Sequence, residues 1–160
     1  MTTPLHDELL LAIESFAATA SSAESLECFI AETMATRLDN YNWVGFYMLA
    51  ADDKPMLELG PYVGAPTIHT RIPVTEGICG AAVAQAATIV VDDVHSDPRY
   101  LACSIETQSE IVAPIRVRGR IVGEIDIDSH QKAAFPSADR TFVERCAAIV
   151  GSYLERTSKL

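Results

Sequence analysis

Apolar residues recur at helical spacing over residues 5–18, where Leu9, Leu10, Ile13, Phe16 and Ala17 share a stripe. A second helical pattern opens at Ser21-Ser22-Ala23-Glu24, a capping-box sequence, and carries Leu26, Phe29, Ile30, Thr33, Met34 and Leu38 on one face. Asp39-Asn40 ends it, and residues 41–49 then read as an aromatic-rich strand. Short strands are predicted at 56–59 and 70–74, set apart by Gly60-Pro61 and Gly64-Ala65-Pro66. The small-residue run 77–86 predicts a short helix lying close on a sheet, and 88–91 a further strand. Residues 92–107 read as loop, with a turn at Asp97-Pro98. The clearest hairpin follows, with strands at 110–117 and 120–128 around Arg118-Gly119. After Pro136-Ser137 a last helix carries Phe142, Cys146, Ile149, Val150 and Tyr153 on one face. The pattern predicts an α+β domain with about six strands, largely antiparallel and flanked by helices.

A chain of 160 residues, half of them hydrophobic, is large enough for one domain with a core of its own, here taken to be 1–160. The net charge of −10 argues against nucleic acid and anionic membrane surfaces, both of which select basic patches. No apolar run approaches the ~20 residues of a membrane span, and the first residues lack the pattern of a signal peptide. The expected location is cytoplasmic, where the four cysteines at 28, 79, 103 and 146 stay reduced at rest. None has CxxC spacing, and His69 and His95 have no metal-ligand spacing to them, so no metal is expected.

The chemistry-bearing residues lie downstream. Cys103 is followed by Glu110, and the second hairpin strand carries Glu124, Asp126 and Asp128 on one face with Val122, opposite Ile121, Gly123, Ile125 and Ile127. A solvated outer face is the plainer reading of that acidic row. Like charges along one strand also favour recruitment of a cation, and a pocket built there would prefer an ammonium group. A thiol among carboxylates is poorly set up to ionise, but suits a reaction in which sulfur attacks while a departing oxygen takes a proton. Cys79, at the start of the short helix, stands where the helix N-terminus favours a thiolate; close packing on the sheet is as good a reading. Trp43 and Tyr47 share a strand face and could wall a pocket for a methyl or thioether group, or belong to an ordinary aromatic core. Cys146 belongs to the core stripe, and Cys28 is assigned no role.

Several segments in order resemble the GAF-domain family of free methionine-(R)-sulfoxide reductases. They include Asn42-Trp43-Val44-Gly45-Phe46-Tyr47, Arg71-Ile72-Pro73-Val74, Gly77-Ile78-Cys79-Gly80, Ala102-Cys103, Ser109-Glu110-Ile111-Val112 and Asp126-Ile127-Asp128-Ser129. The resemblance implies a six-stranded antiparallel sheet with helices on one side, and a homodimer formed through helices. It implies attack by Cys103 on free methionine sulfoxide, with Glu110, Asp126 and Asp128 binding the amine and managing protons. Trp43, Tyr47 and Leu101 would surround the methyl sulfoxide. No metal or organic cofactor is implied, and thioredoxin would be the usual reductant, with Cys79 contributing to recycling. The family commonly has a further, resolving cysteine where this chain has His69. Two other readings stand beside the enzyme: a GAF-type sensor or signalling module for a small amino acid, and a structural dimer module without a ligand.

Overall fold

The computed structural model describes residues 1–50, 55–102 and 104–158. Its helices are α1 (Pro4–Thr19), α2 (Ala23–Arg37), α3 (Gly77–Gln85) and α4 (Ser137–Thr157). Its strands are β1 (Trp43–Leu49), β2 (Met56–Val63), β3 (Arg71–Pro73), β4 (Ile89–Val91), β5 (Ser109–Val117) and β6 (Arg120–Ser129). The strands form one antiparallel sheet in the order β3-β2-β1-β6-β5-β4. Among the described residues, no helix is long and apolar enough to cross a membrane.

Local signals start the elements. Thr3 caps α1, accepting from the His6 backbone N–H at 3.1 Å while its own N–H donates to His6 Nδ1 at 3.2 Å. Ser22 caps α2 in the same reciprocal way with Ser25, so the box predicted there exists but closes on serine. Arg118 and Gly119 both have positive φ, 52° and 79°, as a two-residue primed turn requires.

Two cores lie on opposite faces of the sheet. On one, the apolar stripes of α1, α2 and α4 meet Val44, Phe46, Ile111, Ala113, Ile115, Ile125 and Ile127. Asp139 of α4 ties this layer to the sheet side, accepting from Tyr41 Oη at 2.7 Å, with His6 Nε2 at 3.5 Å. The other face carries α3, whose Ile78, Cys79 and Ala82 pack with Trp43, Tyr47, Leu57, Ile72 and Val112. Three helices thus share a side, as the resemblance implied, while α3 covers the opposite face and builds the candidate site.

Two irregularities depart from the sequence pattern. Gly60-Pro61 does not end β2; the pairing shifts between Gly45 and Tyr47, so the two residues form a bulge and the strand continues to Val63. A second shift falls between Ile115 and Arg116, where Val122 is the extra residue. Val122, not Ile121, therefore packs against the helix-side core, reversing the faces expected for that pair. In the predicted loop 92–107, a 3-10 turn, Val94–Ser96, is capped by Asp93.

Candidate active site

The site begins with register. Across the sheet, Trp43 pairs with Asp128 and Asp128 with Glu110, while Gly45 pairs with Asp126 and Asp126 with Val112. Period-two alternation then turns Trp43, Tyr47, Glu110, Asp126 and Asp128 to the α3 side. There they line one cavity with Cys79, Leu101, Thr67, His69 and Ile72. Seven of the eight residues predicted for the site are brought together in this way. The eighth, Cys103, lies outside the described residues.

The acidic row is not solvated. Glu110, Glu124, Asp126 and Asp128 are 5%, 0%, 6% and 3% exposed, so the plainer reading of an outer polar face fails. Helix α3 lies over the sheet here, brought close by Gly80, where a Cβ would stand 2.8 Å from the Val74 carbonyl oxygen. Burying carboxylates as anions is costly, and at Glu124 and Asp126 burial favours the protonated form. Desolvation pushes Glu124 far above the usual carboxylate range, with Asp126 adding to the shift, and raises Asp126 itself.

Cys79 sits near the start of α3, yet the helix N-terminus does not win. Burial, then the carboxylates of Asp126, Glu124 and Glu110, push its thiol well above the normal value. Its Sγ and one carboxylate oxygen from each of Glu110 and Asp126 lie within 4.8 Å of one another. Of the two readings of Cys79, the structure therefore supports the thiol packed closely on the sheet over the thiolate. Cys146 is fully buried in the helix-side core, as its stripe predicted, and Cys28 is half-buried on α2.

The aromatic wall is built from a strand and two glycines. The Trp43 and Tyr47 rings lie 6.3 Å apart, and Trp43 also stacks on Tyr62 at 5.5 Å. The Trp43 ring covers Gly45 and Gly64, where a Cβ would come within 2.3 Å and 2.5 Å of it, and its Nε1 donates to the Ala65 carbonyl at 3.0 Å. Tyr47 Oη donates to the His69 carbonyl at 2.7 Å, and the His69 N–H to Thr67 Oγ1 at 3.0 Å. The His69 ring then places Nε2 2.9 Å from the Ala102 carbonyl oxygen. On the other side Leu101 meets Gly77, whose φ of 69° and open Cα admit it; a Cβ there would be 3.3 Å from the leucine Cβ.

Residues 30–154 match the GAF domain. The chain is 36% identical over 143 residues to the free methionine-R-sulfoxide reductase of Escherichia coli, covering 89% of this chain and 80% of that protein. It belongs to the GAF-domain family of free methionine-R-sulfoxide reductases. The free methionine-R-sulfoxide reductase of Neisseria meningitidis, solved in complex with its substrate, superposes with a TM-score of 0.88 at 35% identity. That match covers 94% of this chain and 88% of the neighbour. The Bacillus subtilis protein YtsP is 43% identical over 110 residues, 69% of this chain and 66% of its own length.

Two contributors to the reductase-family site are not marked as site residues by the sequence. Glu124 shares the period-two face of Asp126 and Asp128, a signal that is legible but gives no depth. His69 stands out in sequence only as a departure from the family pattern, and nothing around it there announces a wall residue bonded to Ala102.

Proposed function

We propose that this protein reduces free methionine-(R)-sulfoxide to methionine. The observation that carries the reading is the buried convergence of Glu110, Asp126 and Asp128 beside the Trp43–Tyr47 wall. An ammonium group suits such a seat, and a methyl sulfoxide suits an aromatic wall. The substrate-bound Neisseria relative supports the choice of ligand.

In this reading Cys103 supplies the attacking thiol. Its sulfur attacks the sulfoxide sulfur and bonds to it, and the sulfur–oxygen bond breaks as the protonated oxygen leaves as water. Water then attacks Cys103 Sγ, breaking the sulfur–sulfur bond and releasing methionine as a thioether. The oxygen and one proton of that water end on Cys103 as a sulfenic acid, so the thiol is oxidised and the sulfoxide reduced. Asp126, holding a proton because it is buried, is placed to protonate the oxygen as it departs. Glu110 and Asp128, opposite each other on β5 and β6, hold the substrate ammonium. Leu101 closes the apolar side around the methyl group. A second thiol condenses with the sulfenic acid, releasing water and forming a disulfide that a dithiol reductant reopens. Cys79 is the resolving thiol in this reading, thioredoxin the reductant, and the enzyme a cytoplasmic homodimer.

The deciding experiment is steady-state turnover of the separate R and S epimers of free methionine sulfoxide with a thioredoxin system. Consumption of the R epimer alone is expected, and its loss in Cys103→Ser. Folded protein that binds the sulfoxide yet turns over neither epimer with any thiol donor would instead make the domain a binding module.

A further inference from the structure

We propose that Cys79, Glu110 and Asp126 form a binding site for a thiophilic divalent cation of the zinc class, overlapping the seat of the ammonium group. Their three donor atoms come from α3, β5 and β6 and already lie within 4.8 Å of one another. Zinc holds sulfur at about 2.3 Å and carboxylate oxygen at about 2.0–2.2 Å, so modest side-chain rotations close the three donors onto one ion.

A group of acids would not by itself make a site. Here Oδ1 of Asp126 is buried, belongs to a residue lining the cavity, and has no hydrogen-bond partner among the described residues. Among the described residues lining the cavity none is a lysine or arginine. The donor set is mixed, one sulfur and two oxygens, which selects zinc over calcium or magnesium. Three protein ligands leave a fourth position for water or an incoming ligand.

The ion would take the place of the Cys79 thiol proton without any change of oxidation state. It would also occupy the place where an amine enters, so metal and amino-acid ligand exclude each other. The site is invisible along the chain, because Cys79 and Glu110 are far apart in sequence and no CxxC pair exists.

The test uses Co2+ as a spectroscopic probe on the Cys103→Ser protein, which removes the other thiol assigned to the site and needs no turnover. A cobalt–thiolate charge-transfer band is expected, bleached by equimolar Zn2+ and displaced by free methionine sulfoxide. Adding Cys79→Ala should abolish the band, and Asp126→Asn should weaken binding by at least about tenfold. Circular dichroism separates these effects from misfolding, and Cys28→Ala should keep the band. No band in folded Cys103→Ser protein, or one that survives Cys79→Ala, overturns the proposal. Because binding is read directly, failure here leaves the reductase reading standing, and failure of turnover leaves the metal site standing.

Discussion

The imidazole of His69 stands 2.9 Å from the carbonyl oxygen of Ala102, bridging two loops far apart in the chain. His69 is itself held by Tyr47 and Thr67, so the bond fastens the segment before Cys103 to a fixed point on the pocket wall. A histidine cannot form the disulfide of a resolving cysteine, but at this position it tethers the same segment without a covalent bond. His69→Ala removes one hydrogen bond, worth about 1 kcal/mol, and should raise KM for the sulfoxide about fivefold. The melting temperature should barely move, because the tether closes surface loops. Unchanged kinetics in a folded variant would show that the bond does not position the segment. His69→Cys tests the same proximity covalently: mass spectrometry after one turnover should find the introduced thiol joined to Cys103 in a disulfide.

The thiols should separate by environment. In Cys103→Ser protein, Cys79 and Cys146 are buried and held protonated, so iodoacetamide at mildly alkaline pH should leave both unmodified while the native fold persists. Cys28 is half-buried, and its thiol is raised by partial burial and by Glu24, Glu32 and Glu27, so it should label slowly but first. Peptide mapping by mass spectrometry gives the order. Fast labelling of Cys79 would show that the helix N-terminus outweighs the carboxylates after all.

Gly45 carries the seat of Trp43. Its Cβ would stand 2.3 Å from Cη2 of the indole, so Gly45→Ala forces the ring off its site. Overpacking of this kind costs about 1–3 kcal/mol, and urea unfolding should show a loss in that range. Trp43 is the single tryptophan of the chain, so a shift in its emission reports the displacement directly. KM for the sulfoxide should rise with it if the indole walls the methyl group; an unchanged emission spectrum would remove Trp43 from this account.

What the chain makes legible and what it hides follow from range. Arg118-Gly119 between two alternating runs defines the β5–β6 hairpin locally, and the helix stripes need nothing beyond their own period. The acidic face of β6 is equally legible as a face. Its burial is not, because α3 and the loops bearing His69 and Leu101 come from elsewhere in the chain to cover it. The same limit explains Cys79: its helix position is readable, but the carboxylates that raise its pKa sit on β5 and β6. Bulges hide the fate of Val122 and of Gly60-Pro61, since an extra residue leaves no fixed mark in a period-two pattern.

Glu27 is buried in α2, with Oε2 lacking a hydrogen-bond partner among the described residues. Burial, with help from Glu24, raises its carboxyl from 4.5 to about 7. The native state then binds the proton more tightly than the unfolded state does, so stability must fall as pH rises. The loss begins above the unfolded value of 4.5 and is complete once the pH passes about 7. Its full size is on the order of 3 kcal/mol. Glu27→Gln keeps the shape and removes the titration, so its unfolding free energy should gain on wild type across that window and run parallel to it above. The raised carboxyls of Glu124 and Asp126 slope the same way in both proteins and cancel in the difference. Urea denaturation of the two proteins at several pH values measures this gap; a constant gap from acid to neutral pH would place an ordinary carboxylate at Glu27.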